Sequence, residues 1–210
     1  TDGITLLFAD TLIEHPDTYR FLEAAAANIG APLVRIADGR TPFEVFRDRK
    51  FLGNSQRDPC SDILKRKMCD RWLRDNCDPA ETVLVFGIHW SEVDRLKAIQ
   101  ARNTGWTCKA PLCEPPFIAY ADLHAWAKRE GLPRQFLYEI GMPHANCGGG
   151  CVKMGQGGWV AAYHKNRETF DRWEAEEETL RAQLGDVSMM KDRRGGETKP
   201  LPLRALRERI

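Results

Sequence analysis

No stretch of the chain approaches the roughly 20 consecutive apolar residues that a bilayer-spanning helix needs. The opening TDGITLLFAD also lacks the basic start and long apolar run of a secretory signal. The sequence reading is therefore no membrane span and a cytoplasmic location. An excess of one charge is missing too: 31 Lys and Arg stand against 30 Asp and Glu, a formal charge of +1. No global basic field advertises nucleic acid or an anionic surface, which leaves local patches to consider. There is no internal repeat and no low-complexity tract. The seven cysteines form no even, regularly spaced set, so they read as thiols or metal ligands and not as a secreted disulfide framework.

What is present is 210 residues with 42% hydrophobic content, enough for one large domain or a domain with an appendage, without disulfides. ITLLFADT reads as a strand ending at Asp10 and Thr11, followed by a helix from Thr18 through Ile29 that stops at Gly30, and by a second apolar stretch from Pro32 to Ile36. Arg40 to Pro59 reads as a charged surface excursion. Ser61 to Asn76 has helical spacing with a basic face, and Glu81 to Gly87 (ETVLVFG) reads as a fully buried parallel strand with a helix from Ser91 to Arg102 behind it. This alternation predicts a three-layer α/β fold with a doubly wound, mostly parallel sheet, whose ligands gather beyond the carboxyl ends of the strands.

The proline-rich APLCEPPF leads to a helix from Tyr120 to Glu130, closed by Gly131 and Pro133, and to another beginning near Gln135. Trp159 to Leu184 reads as one long amphipathic helix with Trp159, Tyr163, Phe170, Trp173 and Leu180 as its packing stripe. From Val187 the chain has a short apolar start, a DRRGG turn and a small terminal helix. The expected division is an α/β core over 1–118 and a helical, cysteine-containing extension over 119–210.

Cys147 and Cys151 are separated by three glycines, so the backbone can turn tightly and bring both thiols to one ion or cluster. A phosphate-cradling reading of GGGCVKMG fails because the run lacks the lysine-serine or lysine-threonine ending and follows no strand. Cys60 and Cys69 lie in the basic segment PCSDILKRKMCDRW and are candidates for the remaining ligands, although Cys69 reads equally well as a packed helix residue. Cys108 and Cys113 form a competing pair, Cys77 has no obvious partner, and His144 is a substitute ligand. His15, His89, His124 and His164 read as local hydrogen-bonding residues. Zinc and an iron–sulfur cluster both remain open.

Among charged groups, Lys65, Arg66, Lys67 and Arg71 form a basic patch that fits either a phosphate or a solvated helix face. In GIHWSEVDRLK, Ser91 is the expected helix cap, and Glu92 and Arg95 either meet a phosphate or pair across one turn. Asp10, an acid closing an apolar strand, is placed where magnesium-binding or catalytic carboxylates often sit.

LLFADTLIEHPDTYRFL, PCSDILKRKM, GIHWSEVDR, PPFIAYADL and LYEIGMPHANCGGGCVKMGQGG together resemble the phosphoadenosine-phosphosulfate reductase-like branch of the adenine-nucleotide alpha-hydrolase, or PP-loop ATPase, superfamily. The resemblance runs from Ile4 to Gly158, and SMMKDRRGG is similar to sequences that follow this core in other members. It implies a doubly wound sheet holding an adenine nucleotide, with Asp10, Lys65 and Arg95 in candidate catalytic roles and Asp10, Glu92 and Arg95 at the nucleotide. Cys60, Cys69, Cys147 and Cys151 are the corresponding candidates for a 4Fe-4S cluster or zinc. This chain has Ser61 where cluster-bearing members have a second adjacent cysteine, and three residues instead of two within its late pair.

The family's serine- and glycine-rich pyrophosphate loop does not precede ITLLFADT here. Either an upstream part that carries it lies outside this sequence, as a separate fragment for example, or ATP hydrolysis is lost. The tail LPLRALRERI also lacks the nucleophilic cysteine of sulfonucleotide-cleaving members. The resemblance therefore points first to ATP- and magnesium-dependent adenylation or sulfur transfer, with a sulfur donor and a tRNA or DNA acceptor among the partners it implies. Two alternatives are a sulfonucleotide reductase-like oxidoreductase and a catalytically degenerate, metal-stapled interaction module.

Overall fold

The computed structural model describes residues 3–132 and 134–210. In chain order the elements are β1 (Leu6–Asp10), α1 (Pro16–Ile29), β2 (Leu33–Ala37), α2 (Pro42–Arg49), α3 (Pro59–Ser61), a π-helical turn (Asp62–Arg66), α4 (Lys67–Asn76), β3 (Val83–Val85), α5 (Val93–Arg102), β4 (Thr107–Lys109), α6 (Tyr120–Arg129), α7 (Phe136–Glu139), α8 (Gln156–Lys165), α9 (Arg167–Leu184), β5 (Met190–Asp192), β6 (Lys199–Leu201) and α10 (Leu203–Arg207). The fold is mixed α/β. Its contacts define two units, one formed by residues 1–69 and 132–210 and the other by residues 70–131. The expected helix closure at Pro133 lies outside the described residues, as do the first two residues of the chain.

In the first unit, β1 and β2 pair in parallel from Leu6 opposite Leu33 to Asp10 opposite Ala37. The connecting α1 starts where His15 accepts a hydrogen bond from the Asp17 backbone and Pro16 fixes the first turn. It ends where Gly30, at φ 70°, donates back to the Ala26 and Ala27 carbonyls. The supposed excursion after residue 40 contains α2. Thr41 and Glu44 form a reciprocal capping box, and Pro42, Phe43, Val45 and Phe46 are buried. The charges that gave the segment its surface look lie on the other face of that helix.

The unit's core joins Phe46, Leu64, Leu137, Val152 and Leu203 to a knot of aromatic rings. Trp173 packs against Phe43 at 4.6 Å and against Trp159 at 5.6 Å between ring centroids, both edge-to-face. Such pairs add about 0.5–1.5 kcal/mol beyond the area they bury. The packing stripe is therefore as expected, but the single long helix is two. Asn166 leaves helical geometry at φ −144°, ψ 65° between α8 and α9, and its side chain donates to the Gly148 carbonyl at 3.0 Å. A short amide that bonds to backbone elsewhere is a poor helix-interior residue. After α9, β5 and β6 form an antiparallel pair around the expected Arg-Gly-Gly turn, and α10 follows.

In the second unit, β3 and β4 pair in parallel over three residues each. The strand read as fully buried is shorter than expected and open: Val85 is 65% exposed. The buried residues described in this unit are Ile88, His89, Asn103 and Ala110. His89, not Ser91, caps the turn preceding α5, with Nδ1 accepting from the Ser91 backbone.

Candidate active site

Asp10 closes β1 with a side chain that is 1% exposed. Its Oδ1 accepts from the Leu12 backbone at 2.8 Å and from the Tyr19 hydroxyl at 3.0 Å, and its Oδ2 accepts from Arg35 Nε and Nη2 at 2.7 and 2.5 Å. Arg35 reaches it from β2 and lies over the Tyr19 ring, 4.1 Å from the centroid. Burial, followed by the bond to Asp10, pushes the Tyr19 hydroxyl up to about 12. Both Asp10 oxygens are thus committed within the fold, and the half-exposed Arg35 is the charged group at this strand end that faces solvent.

Leu12, at φ 63°, turns the chain away from the strand and leads it to Glu14. The Glu14 carboxylate is 4% exposed. Its Oε1 accepts from the Thr11 hydroxyl at 2.8 Å and lies 3.6 Å from Lys65 Nζ, while its Oε2 accepts from the Cys147 backbone at 2.7 Å. One carboxylate therefore ties together the end of β1, the π-helical turn that carries Lys65, and the glycine-rich turn. Burial works against the Lys65 charge, but the Cys147 sulfur, Glu14 and the Cys151 sulfur outweigh it and raise this ammonium. Two other members of the basic patch are used locally, Arg66 and Lys67 both pairing with Asp62.

The glycines of CGGGC are required by close approach. Cys147 and Gly148 both take left-handed backbone, at φ 53° and 70°. A Cβ on Gly148 would stand 2.8 Å from the Ile13 carbonyl, and one on Gly150 would run into the Trp173 indole. The Gly148 carbonyl is held by the Thr169 hydroxyl at 2.8 Å and by Asn166. The turn thus sets two cysteines against a rigid wall.

Cys147 and Cys60 are buried, and Cys151 and Cys69 are half-buried. Cys60, Cys147 and Cys151 act electrostatically on one another and on Lys65. Burial is the main cause that raises all three thiols, Cys60 to about 11, while Lys65 pulls in the opposite direction at each. Near neutral pH these are protonated thiols, and a soft metal would have to displace their protons. Burial lowers the nearby His144 imidazole, against the pull of Glu14. Its Nδ1 and the Trp173 Nε1 are buried without a hydrogen-bond partner. Among the described residues, no three His, Cys, Asp or Glu side chains stand together as a group able to hold a metal ion, so no chemical step is assigned to a metal here.

Glu92 and Arg95 belong to the second unit. They form an ion pair across one turn, with the Arg95 side chain 63% exposed, and Glu92 Oε2 also receives the Tyr120 hydroxyl at 3.4 Å. In the same unit, the Cys113 thiol donates to the Ile88 carbonyl at 3.2 Å.

Sequence reasoning passed over Glu14, Tyr19 and Arg35. The signal for Arg35 was available: it is a lone charge inside the apolar PLVRI, and such a charge on a parallel strand needs a partner. No comparable signal marked Glu14, whose importance comes from contact with the backbone of Cys147, 133 residues away.

No described helix is long and apolar enough to cross a membrane. No protein-family model and no curated protein matches the chain. Among solved structures, the chain is similar in fold to the phosphoadenylyl-sulfate (PAPS) reductase of Candida auris, determined as a phosphate complex, with a TM-score of 0.50 and 20% identity over 70% of each chain.

Proposed function

We propose that the chain is an adenine-nucleotide-dependent enzyme of sulfur chemistry, acting by adenylation and sulfur transfer. The observation that carries this reading is the convergence of Lys65, Glu14 and Cys147 just beyond the carboxyl end of β1, where open α/β sheets bind their ligands. In this reading Lys65 offsets phosphate charge and Arg35 supports it. Asp10 acts through Arg35, holding the guanidinium flat on Tyr19 so that it meets an oxyanion already oriented. Glu92 and Arg95 are proposed as nucleotide-binding groups of the second unit.

The finer fold assignment belongs to the same proposal. The β1–β2 pair would be part of a doubly wound sheet of adenine-nucleotide alpha-hydrolase type. A two-stranded parallel pair is short of what such a sheet normally contains. Cys60, Cys147 and Cys151, with Cys69 as fourth, are the proposed ligands of an iron–sulfur cluster or zinc. The thiol donors and the glycine turn between two of them support this; against it, these side chains do not stand together as a metal-holding group among the described residues.

In adenylation, an acceptor oxygen attacks the α-phosphorus of ATP and pyrophosphate leaves. A sulfur nucleophile then displaces AMP from the activated carbon. The fold likeness favours a second reading, reduction of a sulfonucleotide. There a dithiol supplies two electrons and becomes a disulfide, the bond between sulfur and the bridging phosphate oxygen of phosphoadenylyl sulfate breaks, and sulfite, adenosine 3′,5′-bisphosphate and two protons are released.

Product analysis separates them. Incubation with ATP, magnesium, sulfide and a tRNA pool is expected to yield AMP and pyrophosphate. Sulfite formed from phosphoadenylyl sulfate and dithiothreitol would establish the reductase reading instead. Neither product from folded protein supplied with a pyrophosphate-loop segment would leave the non-catalytic interaction module.

A further inference from the structure

The second unit carries a cluster of rings that the proposal above does not use. His89, buried at the end of the loop leaving β3, stacks on Tyr120 with centroids 3.9 Å apart and planes 21° apart. Trp90 leans on His89 at 5.0 Å and on Phe117 at 6.0 Å. The cluster is fastened from behind, because His89 Nε2 and Trp90 Nε1 both bond to the Ile118 carbonyl, at 2.8 and 3.0 Å. On its open side, Trp90, Phe117 and Tyr120 are 43%, 60% and 50% exposed. With His89 and Trp90 tethered to one carbonyl and Tyr120 and Phe117 packed on them, the cluster offers exposed ring surface for stacking, and it lies beyond the carboxyl end of a parallel strand.

A carboxylate borders the cluster. Glu92 is held by Arg95 and receives the Tyr120 hydroxyl, so its oxygens are fixed where they can accept from an exocyclic amino group. Charge decides the size of the occupant. Residues 70–131 contain eight Lys and Arg against nine Asp and Glu, which gives no field for a polyanionic strand but suits a single nucleoside or nucleotide.

We infer that Trp90, Phe117 and Tyr120 form a binding surface for an amino-bearing nucleobase, with Glu92 reading the amino group. This rests on the nucleotide-binding role proposed above for Glu92 and Arg95 and adds the rings to it; it does not use Lys65.

The test is a titration of the whole protein with adenosine, followed through the Trp90 indole N–H resonance, assigned with a Trp90→Phe variant. Adenosine is expected to shift that signal, uridine to shift it less, and ribose 5-phosphate to leave it unmoved. Phe117→Ala should weaken adenosine about tenfold, the usual loss for one stacking ring. Trp126→Ala, which removes another exposed ring of this unit, should have no effect, and both variants should retain the wild-type melting temperature. An unmoved signal, an equal response to ribose 5-phosphate, or full adenosine affinity in Phe117→Ala overturns the inference. So does a signal that changes on dilution of the protein alone, which would assign the face to a second copy. None of these outcomes depends on Lys65, so the phosphate-binding role proposed for Lys65 stands or falls separately, while a negative result here would also remove Glu92 and Arg95 from nucleotide binding.

Discussion

Arg35 lies across the ring of Tyr19 while two of its nitrogens share a single oxygen of Asp10. Asp10 is buried and Arg35 is half-exposed, so the two are not equivalent. Losing Arg35 leaves a buried carboxylate with neutral donors only, whereas losing Asp10 leaves a guanidinium that water can reach. Arg35→Ala is expected to destabilise the fold by about 1–3 kcal/mol. Arg35→Lys should fail to restore it, because an ammonium cannot reproduce the planar two-nitrogen contact. In a double-mutant cycle with Asp10→Asn, additive losses would contradict the pairing.

The glycine turn gives a prediction of opposite design. At Gly150 a methyl group would enter the Trp173 indole, while at Gly155 nothing lies within 4 Å. Gly150→Ala is expected to lower stability by about 1–3 kcal/mol, the usual penalty for overpacking, and Gly155→Ala by far less. Thermal unfolding of both variants decides it; equal melting temperatures would mean that the turn is not held against Trp173.

Glu177 is 1% exposed and accepts from the backbone of Met189 and of Leu203, at 2.9 and 2.5 Å. Burial raises its carboxyl from 4.5 to about 7. The unfolded chain therefore gives up this proton at lower pH than the folded one. The contribution to stability is fully present below pH 4.5 and declines as pH rises to about 7, by up to roughly 3 kcal/mol. Glu177→Gln should flatten this part of the profile in urea unfolding between pH 4.5 and 7. An unchanged slope would assign it to other groups.

Protein isolated without oxygen is expected to contain iron and acid-labile sulfide at about four of each per chain if the thiols carry a cubane cluster. Cys147→Ala should lose both. One zinc without sulfide would assign a structural staple, and neither in folded protein would remove Cys60, Cys69, Cys147 and Cys151 from the ligand role. Stripped of metal, Cys60 and Cys147 should alkylate slowly at pH 8, since burial keeps both protonated.

Local pattern carried much of the fold. β1, α1 and β2 are where apolar runs, His15, Pro16 and Gly30 place them, because each signal acts within a few residues. α2 was hidden because its apolar positions are interrupted by charges. The break at Asn166 depends on a carbonyl 18 residues back. The exposure of β3 was also illegible: an apolar strand reports its taste for burial, not whether anything covers it. At the site, the strand-end acid, the lysine and the spaced cysteines were readable as residue types. Glu14 was not, since its role arises from long-range pairing, and Arg35, though marked as a lone charge in PLVRI, gave no sign of which acid it meets.

The most direct test of the central claim is equilibrium binding of ATP and of phosphoadenylyl sulfate to the wild-type protein and to Lys65→Ala. The account predicts that wild type binds an adenine nucleotide, that a folded Lys65→Ala variant binds it tenfold or more weakly, and that added salt reduces the difference. A folded wild-type protein that binds neither nucleotide, or a Lys65→Ala variant that binds as tightly as wild type, would contradict it.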